Sequence, residues 1–254
     1  MVMHSSIFAG VDIICSPGRL RRAFVYAALD ADRELLALAH GDWDEVLAYF
    51  GGQAGAYVAI NAPHHPNLGT ASELIRAQSE FPYGESLSAR GVRLCEHLLQ
   101  AQGLRLDSTP KTRKDCPGWM QKGFSLYEQL EDFGYHTYPN SESAHLLFET
   151  HSEGVFWRLL RQKAPLPNSL EGRLQRQLLL HSIEMPVPDA MDFFLEITRF
   201  KLMQGELPDE DLHSYEELNA LAAAHMAWQA AHHPDLIDLV GDPDGDQIAL
   251  PNLP

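Results

Sequence analysis

An aspartate inside an apolar strand is the first residue in this sequence that calls for a chemical explanation. Asp12 sits in Gly10-Val11-Asp12-Ile13-Ile14, within a run from Ile7 to Cys15 rich in β-branched residues. A carboxylate there is costly to bury unless it is paired or binds a cation. An edge position bonded to backbone is one account; a metal-binding carboxylate at the centre of a sheet is favoured. A second concentration is Glu149, His151 and Glu153. If a strand runs through them, two-residue alternation puts all three side chains on one face. The two glutamates offer the oxygen ligands that Mg²⁺ or Mn²⁺ takes, and His151 could shuttle a proton or ligate Mn²⁺. A solvated strand end running into a helix is the competing account. For contact with phosphate, the best cations are Arg93, Lys111, Arg113 and Lys114, set against a plain solvated loop.

Other chemistries find less support. No G-x-S-x-G, Walker A or G-x-G-x-x-G occurs, so triad hydrolase, P-loop and Rossmann readings have no footing. Asp12-Ile13-Ile14-Cys15 is not the D-x-G-[ST] of an actin-like phosphate loop. Asp242, Asp244 and Asp246 lack the glycine placement and closing glutamate of a calcium loop and read as a tight turn. His64-His65 reads as loop surface. Met191, Phe193, Phe194 and Phe200 read as core.

The elements that must hold these residues follow from periodicity and punctuation. Three strand-like segments open the chain, Ile7–Cys15, Leu20–Leu29 and Glu34–Ala39. Asp42 caps a helix through Phe50, with Trp43, Val46, Leu47 and Phe50 at helical spacing. Ala56–Asn61 is a compact buried strand stopped by Ala62-Pro63. Residues 64–85 form a loop or lid, a helix runs from Glu85 to Gln102, and a short strand covers Leu104–Leu106. The polar, basic stretch 108–117 is the most mobile segment. Helices then cover Gly118–Phe133, Ser152–Gln162, Ser169–His181, Pro188–Gln204 and Tyr215–Ala231, with a strand at His145–His151 and two more in Leu236–Pro251. Three strands, a helix and a fourth strand is the opening order of a ribonuclease-H-like fold, and also of the sugar-kinase and actin half-domain. The expectation is one α/β domain over 1–254, a mixed β-sheet flanked by helices with additional C-terminal helices.

Composition sets the outer bounds. The 254 residues are 45% hydrophobic and 21% charged, which excludes wholesale disorder. The net charge of −16 argues against a nonspecific coat on nucleic acid. That charge is concentrated: residues 184–254 hold 15 of the 35 acids and only Arg199 and Lys201 among the bases. Three cysteines, Cys15, Cys95 and Cys116, make no disulfide framework. No basic, apolar leader or bilayer-length apolar stretch stands out, so a cytoplasmic chain with no membrane partner is expected. Oligomeric state is not readable.

Several segments taken in order resemble the family catalogued as domain of unknown function 429, predicted ribonuclease-H-like nucleases. Gly10-Val11-Asp12 looks like its opening G-[IV]-D, and Val58-Ala59-Ile60-Asn61-Ala62-Pro63 like its V-A-I-D-A-P. Arg93-Leu94-Cys95-Glu96 is similar to R-P-C-D, and Glu149-Thr150-His151-Ser152-Glu153 with Phe156-Trp157 to E-V-H-P-E and F-W. Gly172 with Arg176, Asn219-Ala220-Leu221-Ala222 and Gly241-Asp242-Pro243 through Ile248-Ala249-Leu250-Pro251 complete the series. The resemblance implies carboxylates on a ribonuclease-H-like sheet that hold Mg²⁺ or Mn²⁺ and hydrolyse phosphodiesters. Carried over by position, the catalytic set is Asp12, Asn61, Glu149, His151 and Asn219, with Asp12, Glu149 and Glu153 as metal ligands. Two members depart from the pattern, because Asn61 and Asn219 stand where the family has Asp. Two charges are then missing from a site meant for divalent cations. The expected function is a nuclease with a partly degenerate acidic site; the alternative is an inactive relative that binds nucleotide, nucleic acid or protein.

Overall fold

The structure, a computed structural model, describes residues 6–14, 23–68, 92–197, 203–206, 208–243 and 245–252. At its centre is strand β1, Ile7–Ile13, buried along its whole length. β2, Phe24–Leu29, pairs with it antiparallel, and β3, Leu35–Gly41, pairs antiparallel with β2. A helix, α1 (Trp43–Gly51), follows, and its start is set by sequence. Asp42 accepts from the Glu45 N–H at 3.0 Å while Glu45 accepts from the Asp42 N–H at 2.9 Å, a capping box. β4, Ala56–Asn61, then returns parallel to β1. Beyond it lie β5, His136–Thr137, and β6, His145–Glu149, giving a mixed six-stranded sheet in the order β3-β2-β1-β4-β6-β5. The chain is therefore α/β with a mixed sheet flanked by helices.

Alternation along β1 sorts the two faces. Ala9, Val11 and Ile13 join Val58 and Ile60 in a core closed by Val46 and Phe50 of α1 and by Leu126, Tyr127 and Leu130 of α3, Gly118–Asp132. Phe8, Ala59 and Phe148 face the other way, onto α7, Tyr215–His232. α7 is alanine-rich where it crosses β1, so the two backbones come very close. A Cβ on Gly10 would lie 2.1 Å from the Ala220 carbonyl oxygen, and only glycine fits there. The remaining helices are α2 (Leu94–Ala101), α4 (Ser152–Leu160), α5 (Leu170–Ser182) and α6 (Asp192–Ile197). A separate hairpin, β7 (Ile237–Gly241) and β8 (Gln247–Pro251), closes the chain and touches the main sheet through a Thr150–Ala249 bridge.

Several expectations need correction. The strand placed over His145–His151 stops at Glu149, because Thr150 bridges to β8 and the α4 helix begins at Ser152. The helix placed from Glu85 begins at Leu94, with Arg93 extended at its cap, and residues 85–91 lie outside the described residues. No strand forms at Leu104–Leu106; that segment has no ladder partner among the described residues. The segment 108–117 is fastened at both ends by the buried residues Thr109 and Cys116. Of the loop 64–85, residues 69–85 lie outside the described residues, as do Cys15, Asp244 and Phe200. Phe193 is core, whereas Met191 and Phe194 are 49% and 43% exposed. Among the described residues, no helix is long and apolar enough to cross a membrane.

Candidate functional site

Where β1, β4 and β6 end side by side, the structure opens a cavity of about 270 Å³. Asp12, Asn61, Glu149, His151 and Asn219, the five residues picked out as catalytic, all line it. Their placement is therefore legible in the sequence; their chemistry is not.

Register decides which of them meet. Asp12 and Asn61 are partners in the parallel ladder and point to the α7 face. Glu149 is the partner of Ile60, one residue short of that rank, so it leaves the sheet on the opposite face. Thr150, not Glu149, follows in rank with Asn61; it donates its N–H to Ile60 O and its hydroxyl to Ala249 O. Glu153 does not line the cavity. Its carboxylate is gripped by Arg176, at 3.0 Å from Nε and 2.6 Å from Nη2. The expectation that Glu149, His151 and Glu153 share one strand face is overturned by the helix that starts between them.

Asp12 is 4% exposed and receives two amides. Asn61 Nδ2 donates to Oδ1 at 2.5 Å and Asn219 Nδ2 to the same oxygen at 3.4 Å. Burial pushes the Asp12 pKa up from 3.8 to about 7, against the pull of both amides, and Glu216 adds to the rise. Asn61 uses its other end as well: Oδ1 accepts from the Ser152 N–H at 2.9 Å, at the first turn of α4. One amide thereby joins the first strand to a helix N-terminus. An Asp at position 61 could accept from Ser152, but its second oxygen would face Asp12 where now an N–H donates.

Glu149 is saturated from another direction. Arg93 binds it in a two-pronged pair, 2.7 Å from Nη1 to Oε2 and 2.6 Å from Nη2 to Oε1, and the His64 N–H donates at 3.1 Å. Arg93 is 2% exposed and also donates through Nε to Glu96 at 2.7 Å, while Glu96 accepts from Thr109. Burial works against the charge on Arg93, but the Glu149 carboxylate outweighs it and holds the guanidinium pKa well above its ordinary value. The phosphate-contact role given to Arg93 therefore gives way to a buried Glu96–Arg93–Glu149 network. Arg113 is committed to Glu128 and Ser125, and Lys111 and Lys114 lie on the exposed surface. His151 accepts at Nδ1 from the Gly154 N–H at 3.0 Å, as the cap of α4. Burial, helped by Arg93, lowers its pKa to about 4, so it stays neutral near pH 7. His64 stacks on Tyr127 at 4.1 Å and His65 reaches Asp246 at 3.0 Å, which makes the pair structural rather than loose surface.

Sequence reasoning missed Glu96 and Ser152 as parts of the site. Glu96 follows Arg93 by three residues at a helix start, a spacing that signals a local pair. Ser152 had no signal, since its role belongs to its backbone N–H. The chain matches no protein-family model, no curated protein and no solved structure.

The donor set does not fit two divalent cations. Glu149 faces away and is held by Arg93, Glu153 is held by Arg176, and Asn61 turns its oxygen to Ser152. Asp12 and the Asn219 amide oxygen remain on the α7 face. Among the described residues, no group of three or more His, Cys, Asp or Glu side chains is placed to hold a metal. The chemistry available is hydrogen bonding and charge within a partly enclosed cleft.

Proposed function

We propose that the chain is a ribonuclease-H-like domain in which the site position serves as a binding pocket rather than as a two-metal phosphodiesterase. The strand order, a three-stranded antiparallel meander followed by parallel strands, supports the fold assignment, as do the family-like motifs. One observation carries the functional reading: the Asn61 amide lies between Asp12 and the Ser152 N–H, donating to one and accepting from the other. That amide supplies Asp12 with the partner a cation would otherwise provide, and no aspartate can do both at once. The cavity then holds polar groups fixed by the fold and open to a ligand, which is the arrangement of a binding module.

A second reading is a single-metal nuclease using Mg²⁺ or Mn²⁺ at Asp12 and Glu149. It is favoured by their position at the ends of strands that flank β4, lining one cavity. Cleavage assays on single- and double-stranded DNA, RNA and hybrids with each metal separate the two. The binding-module reading expects wild type to match Asp12→Asn, with no metal-dependent cleavage. Cleavage by wild type that Asp12→Asn abolishes would establish the nuclease instead.

A further inference from the structure

Among the described residues, the wall of the cavity carries five carboxyl groups, of Asp12, Glu96, Asp107, Glu149 and Glu216, against one guanidinium, that of Arg93. Arg93 is engaged by Glu96 and Glu149. Asp107 and Glu216, joined by Asp12 when it is ionised, are left to set the charge of the space itself.

Acidity alone does not make a site, and the second observation is Asn219. Its side chain is 2% exposed and its Nδ2 is used on Asp12. Its Oδ1 is buried with no hydrogen-bond partner among the described residues; the same amide also meets the Tyr215 hydroxyl, and the residue forms part of the cavity wall. A buried carbonyl with no partner is expensive to leave unmet, so this oxygen needs a donor from the cavity. Trp119 and Tyr215 add aromatic surface to the same wall, and aromatic faces attract cations.

We propose that this cavity binds a small organic cation, an ammonium or guanidinium compound, whose N–H groups donate to Asn219 Oδ1 and to the carboxylates of Asp12 and Glu216. The proposal rests on the binding-pocket reading above and names its ligand class. A phosphate-bearing ligand meets the wrong sign of charge. A bare divalent ion finds no group of three ligating side chains among the described residues. An organic cation brings both the charge and the directed donors, and a cavity of about 270 Å³ accommodates a compact one.

The test is calorimetric titration of the full chain with agmatine, with neutral 1,4-butanediol and anionic AMP as comparators. Saturable agmatine binding is expected, weakened by added salt and not matched by butanediol. Glu216→Gln should weaken it about tenfold, whereas Glu128→Gln, on the surface beside Arg113, should leave it unchanged. Asp107→Asn, at the exposed part of the wall, guards against a folding defect in the first variant. No saturable agmatine binding, equal binding of butanediol, or unchanged affinity in both Glu216→Gln and Asp107→Asn would overturn the proposal. Binding of AMP but not agmatine would refute the cation while leaving the pocket reading intact. Metal-dependent cleavage abolished by Asp12→Asn would remove the reading beneath it.

Discussion

Replacing Asp12 by Asn should stabilise this protein at alkaline pH, and the size of the gain is set by the burial of one carboxyl group. In the fold its pKa is about 7, against 3.8 for a free carboxyl. An acid with a raised pKa holds its proton more tightly when folded, so the contribution of Asp12 to wild-type stability is greatest below pH 3.8. It falls as pH rises towards 7 and levels off above. The interval from 3.8 to about 7 corresponds to about 4 kcal/mol, reached near pH 8, and to less than about 2 kcal/mol at pH 5. The amide oxygen introduced by Asp12→Asn would accept from Asn61 Nδ2 as the carboxylate does and carry no charge, so the variant escapes this loss. Urea unfolding of both proteins between pH 5 and pH 8, with EDTA present, should show an advantage for Asp12→Asn that grows with pH. Millimolar Mg²⁺ should leave wild-type stability at pH 8 unchanged. A variant less stable than wild type at pH 8, a difference independent of pH, or clear stabilisation of wild type by Mg²⁺ would refute the reasoning. Each would mean that the Asp12 charge has a partner other than the two amides.

Two further expectations follow from packing and from a second buried group. Gly10→Ala places a methyl 2.1 Å from the Ala220 carbonyl oxygen, and a helix backbone cannot step aside cheaply. Chemical unfolding should register a loss of about 3 kcal/mol, and a loss below about 1 kcal/mol would contradict the contact between β1 and α7. His225, 4% exposed on α7, has its pKa lowered from 6.5 to about 4 by burial and then by Arg33. It remains neutral in the fold while the unfolded chain protonates, so stability should be lost as pH falls from 6.5 to about 4, by up to about 3 kcal/mol. His225→Leu should flatten that part of the curve in urea midpoints measured from pH 7 to pH 4.5; an unchanged slope would sink the assignment.

Much of the site's address was readable in advance. Gly10-Val11-Asp12 and Val58–Asn61 announce two buried strands through β-branched runs and clear stops, and Asp42 marks its helix with a cap that depends on side chains three residues apart. Those signals are local, so they survive without knowledge of the fold. The network around Arg93 was not readable in the same way. A lone arginine on a sequence looks like a ligand for phosphate, and only the arrival of Glu149, 56 positions along the chain, shows that its charge is already matched.

What the sequence determined by itself was the identity of the residues, Asp12, Asn61 and Glu149 in apolar strand-like runs and Asn219 in a helical one, two of them amides. What the tertiary structure decided was their direction and their partners. Asp12 and Asn61 share a rank in the ladder, while Glu149 lies opposite Ile60 and leaves by the other face. A shift of one residue between neighbouring strands reverses the side a carboxylate serves, and no pattern within β6 reveals it. The same holds for Asn61. Its identity as an amide is written in the chain, but its place between Asp12 and the Ser152 N–H exists only once α4 is docked against β4.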